Sequence, residues 1–369
     1  MLTNYIIHLI IWLAGFFFFF HIPVFKTAGS KPGIRPSLSI IIPARNEEKN
    51  ITLLLNSLKG QLSVADEIIL VDDHSTDNTA LKAAQAGARV IKSKELPAGW
   101  TGKTWACYQG AGMSSGEVLV FLDADIVFED DALDRIVYTF NQSEGLISIQ
   151  PYHKMRSLYE QLSAFFNLIL MAGMGAFTMI PSLLKPTGLF GPVIMVKRTL
   201  YSKSGGFGEV KGEILEDIAL GRRLKNQGIN LHCYGGRGTV SFRMYPEGIG
   251  QLIMGFSKGF AKGAVMTSIP VLILIIAWIS GASGTVRNLI ESMISGDASL
   301  IIPWGILYLL FAIQIHWMLI RIGNYQVYTS LMYPFPLLFF FVVFIYSFVN
   351  IFILNKVNWK GRQIQTRSK

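Results

Sequence analysis

The feature that most constrains the fold is an apolar run that begins at Val118 and leads directly into Asp123 and Asp125. The run is short, β-prone and apolar on both faces, as expected of a central strand in a parallel sheet. Such sheets bind ligands at the carboxyl ends of their strands. Two carboxylates at that edge would form an oxygen-rich site for a hard cation, Mg²⁺ or Mn²⁺. The triplet alone leaves open the alternative that the two residues end a strand and begin a turn.

The composition is too apolar for an ordinary soluble protein. Hydrophobic residues make up 51% of the 369 residues, charged residues only 15%, and the mean hydropathy is +0.41. This excess predicts membrane segments. The net charge of +9 then indicates cytoplasmic flanks and contact with anionic membrane lipids rather than nucleic acid. Cys107 and Cys233 have no metal-type spacing and form no disulfide framework, which fits a reducing compartment.

The first apolar segment, residues 5–25, is long enough to span a bilayer. It lacks the basic start and the small-residue cleavage site of a signal peptide. Lys26, Lys31 and Arg35 follow it with no acid among them. The positive-inside rule therefore predicts a cell-membrane anchor with its N-terminus outside and the next domain in the cytoplasm.

Strand-like and helix-like stretches alternate between residue 38 and Asp123. Each predicted strand is followed by polar residues, and the strands cover 38–42, 67–71, 88–92 and the run before Asp123. Asp77 or Asn78 can cap a helix that starts near Thr79. A loop over residues 96–103 precedes a further helix. The alternation predicts an α/β layer that binds a nucleotide at one sheet edge.

Four motifs occur in this stretch, in the order Ser39-Ile-Ile-Ile-Pro-Ala-Arg-Asn-Glu-Glu, Val71-Asp-Asp-His-Ser-Thr-Asp-Asn-Thr, Gly102-Lys-Thr and Leu122-Asp-Ala-Asp. By these motifs and their spacing, residues 37–245 resemble glycosyltransferase family 2. The resemblance implies the GT-A fold, an α/β domain with a Rossmann-like mixed sheet. It also implies an enzyme that transfers a sugar from a UDP-sugar with inversion and depends on Mg²⁺ or Mn²⁺.

The resemblance further implies roles for individual residues. Glu47 and Asp73 would hold the uridine. Asp123 would contact the ribose and the metal, and Asp125 would hold the metal that bridges the diphosphate. Lys103 would lie near the diphosphate, where its charge helps the leaving group. The implied nucleotide-sugar site comprises Pro43, Arg45, Glu47, Asp73, Lys103, Asp123 and Arg243.

An acidic pair, Glu216 and Asp217, opens a predicted helix later in the chain. By resemblance Asp217 is the catalytic base, and Glu216 supports or orients it. Structural alternatives exist for each of these residues. The acidic pair could be helix N-terminal acids favoured by the dipole, and Lys103 could be a solvated surface lysine. The family order of all the motifs favours the functional interpretation over the separate structural ones.

A second apolar stretch, residues 158–181, is long enough for a transmembrane helix. A crossing there would place the Asp-X-Asp motif and the Glu216-Asp217 pair on opposite sides of the membrane. Gly173 and Gly175 also interrupt the stretch. We therefore expect an interfacial or re-entrant element that faces lipid, with a methionine-rich surface suited to an adaptable acceptor groove. The alternative is a buried pair of helices.

Three further apolar segments, residues 265–280, 300–320 and 331–354, bring the candidate spans to four. The segment 265–280 is the shortest and could dip into the membrane rather than cross it. Four crossings that start outside would end outside, whereas the basic, acid-free tail favours the cytoplasm. The sequence leaves the side of the C-terminus open.

The predicted organisation has five parts: an N-terminal anchor (1–25), a cytoplasmic GT-A domain (37–245), an amphipathic interfacial segment (246–263), C-terminal membrane segments (264–354) and a basic tail (355–369). Processive members of the family carry Gln-X-X-Arg-Trp near the interfacial segment. Here Gln251 is followed by Leu-Ile-Met-Gly, which predicts transfer of one sugar rather than polymer synthesis.

The flanking membrane segments predict a lipid acceptor. Within the family, the layout resembles members that join glucose from UDP-glucose to the carboxylate of a carotenoid acid. Polyprenyl phosphate, hopanoid and glycerolipid acceptors would share all the donor motifs. A transporter would need more ionisable residues inside the spans, where His316 is the clearest. A non-catalytic scaffold would be expected to have lost some of Asp73, Asp125 and Asp217, yet the sequence holds all three.

Overall fold

The computed structural model describes residues 2–25, 35–180, 185–213, 215–257, 260–353, 356–359 and 362–365. The strands are β1 (Leu38–Ala44), β2 (Glu67–Asp72), β3 (Arg89–Lys92), β4 (Val118–Leu122), β5 (Ile126–Phe128), β6 (Leu146–Gln150), β7 (Tyr152–His153), β8 (Val193–Lys197), β9 (Leu231–Gly235), β10 (Val240–Phe242), β11 (Lys356–Trp359) and β12 (Arg362–Gln365). The α-helices are α1 (Leu2–Gly15), α2 (Ile51–Leu58), α3 (Thr79–Gln85), α4 (Gly102–Gly112), α5 (Ala132–Asn141), α6 (Ala164–Gly173), α7 (Arg198–Ser204), α8 (Glu216–Asn226), α9 (Ile249–Ser257), α10 (Phe260–Met266), α11 (Ile269–Ser295), α12 (Ala298–Ile322), α13 (Val327–Leu331) and α14 (Pro334–Phe348).

The chain divides into two compact units. The α/β unit comprises Pro23–His153 and Pro186–Arg243, and the helical unit comprises Met1–Ile22, Lys154–Lys185 and Met244–Lys369. Residues 154–185, which the sequence analysis placed within the GT-A domain, thus group with the apolar helices.

A seven-stranded sheet forms the centre of the α/β unit, in the order β3-β2-β1-β4-β8-β6-β9. The strands β3, β2, β1 and β4 run parallel, and β8 is antiparallel to both of its neighbours. All five residues of the middle strand, β4, are buried. This confirms the prediction of a central strand covered on both faces, since only such a strand tolerates an unbroken apolar sequence.

Two helix and strand predictions at the site need correction. The apolar residues from Leu189 to Val196 predict a strand, but the strand begins only at Val193, because Pro192 has no N–H to donate to a sheet ladder. The helix expected to begin at Thr104 begins at Gly102, where the Thr101 side chain accepts a hydrogen bond from the Thr104 N–H. The loop predicted up to residue 103 therefore ends earlier, and Lys103 lies in the first turn of α4.

A second, three-stranded sheet has the order β5-β10-β7. The short run from Thr239 to Phe242 predicts an edge strand, but β10 lies between the other two strands. Its three residues are all buried. The short sequence gave no sign of pairing on both sides, because β5 and β7 are distant from β10 in the chain.

The stretch 158–181 forms a 3₁₀ helix, Leu158–Ser163, followed by α6. Eight of the ten residues of α6 are buried, including Phe165, Phe166 and Met171. The expectation that this element faces lipid is therefore wrong for α6, which packs against α11 and α14 within the helical unit. The helix ends at Gly173, as its glycines predict, and residues 181–184 lie outside the described part of the chain.

Among the described residues, three helices are long and apolar enough to cross a membrane: Ile269–Ser295, Ala298–Ile322 and Pro334–Ile351. The predicted N-terminal span is shorter than expected, because α1 has only 14 residues. At 1.5 Å per residue it is about 21 Å long, less than the roughly 30 Å hydrocarbon core.

The segment expected to be the shortest span is instead the longest helix, α11, with 27 residues. Small residues interrupt the apolar sequence of α11, but the helix continues through them. They allow α11 to approach α1 closely. A Cβ atom at Gly281 would lie 2.5 Å from Ile11 Cγ2, and one at Gly284 would lie 2.5 Å from His8 Nε2. Such contacts between small and large residues are typical of packed membrane helices.

Outside the described residues lie Lys26 and Lys31 of the first basic flank and Lys360, Arg367 and Lys369 of the basic tail, as does Lys258 of the interfacial segment. The side of the C-terminus therefore stays open.

Candidate active site

The candidate site begins at the edge of the main sheet where β1, β2 and β4 end. Ala44 is paired with Asp72, and the Asp73 N–H donates to the Ala44 carbonyl at 2.8 Å. The parallel register of Ile41 with Phe121 brings Asp123 level with Pro43. Three of the four motifs thus meet at one edge, as the carboxyl ends of parallel strands must.

The loops after β1 and β2 hold each other in place. The first loop, residues 45–50, has Asn46 at a φ of 54°, a left-handed conformation that asparagine tolerates. The Thr76 N–H donates to Asn46 Oδ1 at 2.8 Å, and the Glu48 N–H donates to Asp77 Oδ2 at 3.2 Å. The N-cap position of α3 is Asn78, whose side chain makes no cap hydrogen bond; instead the Asp77 carboxylate accepts from the Thr79 N–H at 3.0 Å, so of the two predicted capping residues it is Asp77 that satisfies the first helical N–H.

The residues predicted to hold uridine lie in these loops. Arg45 Nη1 donates to the Asp73 carbonyl at 3.1 Å and lies 3.6 Å from Asp73 Oδ2. The Glu47 N–H donates to Thr79 Oγ1 at 2.7 Å, and Asn50 donates to the Glu47 carboxylate at 2.8 Å. Both acids are therefore oriented by neighbours, which is what a preorganised binding site requires.

The Asp-X-Asp motif lies between β4 and β5. The Asp123 N–H donates to the Pro192 carbonyl at 2.9 Å, which fixes the end of β4. Burial, the Asp123 carboxylate and the Glu47 carboxylate raise the pKa of Asp125 to about 7. Negative charge is thus concentrated on oxygen atoms at this point, where a cation would relieve the repulsion.

The donor set fits Mg²⁺ or Mn²⁺, because it consists of carboxylate oxygens. Within the described residues, no group of three His, Cys, Asp or Glu side chains is placed to surround a metal ion. Mg²⁺ commonly binds one or two carboxylates and takes its other ligands from substrate phosphates and water. Asp123 and Asp125 match that pattern.

Lys103 joins the Asp-X-Asp motif to the predicted catalytic pair. Its Nζ atom lies 2.9 Å from Asp123 Oδ1, 3.4 Å from Glu216 Oε1 and 3.6 Å from Asp217 Oδ2. Burial alone would lower its pKa, but the carboxylates of Asp123, Asp217 and Glu216 raise it well above the usual value. Lys103 therefore stays charged and is no solvated surface lysine.

Asp217 lies in the first turn of α8, where the helix dipole favours a negative charge. Burial raises the pKa of Asp217 to about 7, with Lys103 opposing this and the carboxylates of Glu216 and Asp123 adding to it. Its Oδ1 atom is buried and has no hydrogen-bond partner among the described residues. A buried oxygen without a partner is costly, so this atom is a candidate for contact with a substrate.

Two glycines that the sequence analysis did not single out position α8. A Cβ atom at Gly191 would lie 1.9 Å from Asp217 Oδ2, and one at Gly188 would lie 2.6 Å from Ile218 Cα. Only glycine leaves room for the carboxylate at the first position. The feature of the sequence that could have indicated this packing is Gly191 before Pro192, at the end of an apolar run.

A small pocket opens among these groups. Its lining comprises Pro43, Lys103, Cys107, Phe121, Leu122, Asp123, Gly191, Phe207 and Asp217. The polar members come from three separate predicted motifs, and the apolar members lower the local dielectric, which strengthens charge interactions.

Arg243 follows β10, whose Phe242 is paired with Ile126 in the antiparallel direction. The paired register ends at Phe242, the residue directly before Arg243. The structure thus gathers Pro43, Lys103, Asp123, Glu216 and Asp217 into one site. Glu47 and Asp125 lie beside it, and the Arg45–Asp73 pair lies in the adjoining loops. Arg243 directly follows β10. The roles assigned to these residues stay predictions.

A mixed sheet with an acidic edge of this kind defines the GT-A class of glycosyltransferases. The model of the family described as "Glycosyl transferase family 2" matches residues 39–183. The 4,4'-diaponeurosporenoate glycosyltransferase of Staphylococcus aureus (strain USA300) is 34% identical over 331 residues, which cover 89% of this chain and 88% of the relative. The enzyme of strain MRSA252 matches to the same extent. The chain therefore belongs to glycosyltransferase family 2, and the protein is a glycosyltransferase.

Solved structures show a more distant likeness. A mannosyltransferase from Pyrobaculum calidifontis, in complex with GDP-Man and Mn²⁺, has a TM-score of 0.49 at 14% identity, covering 86% of this chain and 96% of that chain. Glucosyl-3-phosphoglycerate synthase from Mycobacterium tuberculosis, in complex with Mn²⁺, UDP-glucose and phosphoglyceric acid, has a TM-score of 0.44 at 19% identity, covering 67% and 88%.

Proposed function

We propose that this membrane-associated glycosyltransferase moves one glucose from UDP-glucose to the carboxylate of a carotenoid acid such as 4,4'-diaponeurosporenoate. The observation that carries the proposal is the ion-pair cluster in which Lys103 joins Asp123 to the Glu216-Asp217 pair. This cluster supports the proposal because one ammonium group contacts both Asp123, which would bind the donor, and Asp217, which would face the acceptor. The acceptor is proposed from the 34% identical relative and its name.

On this proposal the donor lies along the edge of the main sheet. Glu47 and Asp73 bind the uridine, and Asp123 contacts the ribose. Pro43 and Arg45 form the adjoining part of the donor site, and Arg243 contacts the diphosphate alongside Asp125. The interlocked loops support this placement, because they keep the binding groups oriented before the donor arrives.

Asp123 and Asp125 hold Mg²⁺ or Mn²⁺ in this proposal. Such an ion, when bound, neutralises charge that develops on the departing diphosphate. Lys103 adds a second positive charge to the same side of the pocket. Glu216 keeps the Lys103 ammonium and the Asp217 carboxylate oriented toward each other.

The reaction is an in-line displacement with inversion. An oxygen of the acceptor carboxylate forms a bond to the anomeric carbon as the bond from that carbon to the diphosphate oxygen breaks. UDP leaves with the electron pair, and the product is a glycosyl ester. No proton has to be removed, because a carboxylic acid with a reference pKa near 4 is already ionised at neutral pH.

Asp217 would act as a base only toward an acceptor that carries a proton. We expect Asp217→Asn to cost much less than the ~10²–10⁴-fold in kcat that removal of a general base from an alcohol acceptor costs. The measurement is kcat and donor KM of the variant with a carotenoid acid. Complete loss of turnover with normal donor binding would argue against a carboxylate acceptor.

The catalytic domain is proposed to face the cytoplasm of the cell, where UDP-sugars are made. Three apolar helices of spanning length and the acid-free flank that contains Arg35 support this orientation. The helical unit would retain the apolar acceptor within the membrane.

The proposal is tested by incubating membranes that contain the protein with labelled UDP-glucose, and by following label into the organic extract. A carotenoid-acid extract is added to half of the samples and EDTA to half of each set. We expect label that needs the carotenoid acid and disappears with EDTA. Label in the organic extract without the carotenoid acid would indicate that the acceptor is instead a polyprenyl phosphate, a hopanoid or a glycerolipid.

Two variants complete this experiment. Asp125→Asn should abolish transfer, because it removes a proposed metal ligand. Asp130→Asn is the matched control, since Asp130 is an exposed residue nearby, and it should transfer normally. An active Asp125→Asn variant would contradict the metal assignment, and the absence of label from every UDP-sugar would contradict the donor.

A further inference from the structure

Lys103 occupies an unusual position for a residue that is to meet a diphosphate. Its ammonium contacts three carboxylates from two different elements, and its side chain is only 24% exposed. The shortest contact, 2.9 Å, is to Asp123. Asp123 is also a proposed metal ligand, so the Lys103 ammonium and the metal ion compete for the same carboxylate.

The elements around Lys103 fix this contact. The residue lies in the first turn of α4, where Thr101 caps the helix. The Thr101 N–H and the Thr104 hydroxyl both donate to the Lys211 carbonyl, at 2.8 and 2.9 Å. Asp123 is held by the Pro192 carbonyl. The backbones on both sides of the ion pair are thus restrained, whereas the four-carbon stem of lysine can still swing its charge to a new partner.

The net charge around Lys103 determines how the Lys103–Asp123 ion pair affects the binding of a metal ion. One ammonium faces the three carboxylates of Asp123, Glu216 and Asp217, and the formal charge of the cluster stays negative. A divalent cation is attracted to this cluster, but the lysine repels it at a few ångströms in a partly buried site, where charge interactions are strong.

We infer that Lys103 is a resident counter-cation that opposes binding of the metal ion alone and transfers its ion pair to the donor diphosphate when metal and donor enter together. The inference rests on the proposed donor and metal. Once a diphosphate is present, the ammonium and the metal share its negative charge instead of competing for Asp123. Lys103 is on this account a positioning residue that couples metal binding to donor binding.

The test measures metal binding rather than turnover. The full-length protein is purified in detergent, and free Mn²⁺ is followed by electron paramagnetic resonance, first alone and then with UDP. Lys103→Met removes the charge and keeps most of the side-chain volume. We expect it to bind Mn²⁺ alone roughly tenfold more tightly than the unchanged protein, and to bind UDP in the presence of Mn²⁺ roughly tenfold more weakly.

Controls separate this effect from a general change in charge. Lys103→Arg keeps the charge and should match the unchanged protein with Mn²⁺ alone. Lys203→Met removes an exposed charge elsewhere in the same unit and should change neither affinity. In Lys103→Met combined with Asp125→Asn, the gain in Mn²⁺ affinity should disappear. Lys103→Gln gives the same comparison if the methionine variant does not fold.

Unchanged or weaker binding of Mn²⁺ alone by Lys103→Met would overturn the inference. A gain that survives Asp125→Asn would also overturn it, because the metal would then lie elsewhere. Failure of the proposed function gives a different result. The unchanged protein would then show no Mn²⁺-dependent binding of UDP, while the comparison with Mn²⁺ alone would still decide the role of Lys103.

Discussion

Asp125 lies where its own carboxylate, that of Asp123 and that of Glu47 repel one another, and burial adds to the effect. Its pKa of about 7 lies above the value near 4 that an unfolded chain would give it. The folded protein therefore binds a proton more tightly than the unfolded chain. The contribution of Asp125 to the free energy of unfolding is largest below its unfolded pKa. It falls as the pH rises from about 4 to about 7 and is constant above that.

Asp125→Asn should accordingly stabilise the metal-free protein at pH 8, by at most about 4 kcal/mol for a shift of about three pKa units, and much less at pH 5. The amide removes the buried charge without changing the side-chain shape. The measurement is the midpoint of thermal unfolding in EDTA at both pH values. A variant that is less stable than the unchanged protein at pH 8 would contradict the electrostatic account of this site.

The individual site residues were predictable because each motif is local in the chain. Asp123 and Asp125 stand at the end of an apolar strand, and Glu216 and Asp217 stand at a helix start. The ion pairs of Lys103 were not predictable in the same way. They join residue 103 to residues 123, 216 and 217, and only the folded sheet brings those positions together.

At the scale of elements, the N-terminal turn of α8 is set by close backbone packing. A Cβ atom at Gly221 would lie 2.7 Å from the backbone of Gly188. Together with Gly191 against Asp217, this contact holds the helix against the loop before β8. The predicted base is therefore positioned by glycines that make no chemical contribution of their own.

Gly191→Ala should lower the unfolding temperature, and with a carotenoid acid as acceptor it should change kcat no more than Asp217→Asn does, because no base is needed there. The added methyl group would displace the Asp217 carboxylate, whose Oδ2 lies 1.9 Å from its position. The matched control is Gly112→Ala, since a Cβ atom there meets nothing within 4 Å, and this variant should be neutral.

A double variant tells positioning from general damage to the fold. Gly191→Ala should lower the unfolding temperature of the unchanged protein but not that of Asp217→Ala, from which the clashing carboxylate has been removed. Equal destabilisation in both backgrounds would show that Asp217 is not what the methyl group meets.

Local patterns predicted the parallel strands β1, β2 and β4, because short apolar runs bounded by polar residues are typical of buried strands. They did not predict that β8 lies antiparallel between β4 and β6, since strand order depends on contacts distant in sequence. They also did not predict the burial of α6. A helix that faces lipid and a helix that is buried in protein are both apolar, so the sequence alone does not distinguish the two environments.

At the scale of the whole molecule, the chain combines a sugar-transferring unit with an apolar helical unit. Hydropathy predicted long apolar helices, and three helices among the described residues have spanning length. Helix boundaries were predicted less well, because Gly281 and Gly284 lower hydropathy while they allow α11 to pack closely against α1. Amino-acid hydropathy records solvent preference and does not record such helix contacts.

The central claim is that the product is a glycosyl ester of a carotenoid acid. The most direct measurement takes the purified full-length protein with UDP-glucose, a divalent cation and the acid, and determines the mass and the alkali sensitivity of the product. The account predicts a product heavier than the acid by one hexose residue, which mild alkali returns to the free acid. A hexose-bearing lipid that resists mild alkali, or transfer of several sugars to one acceptor, would contradict it.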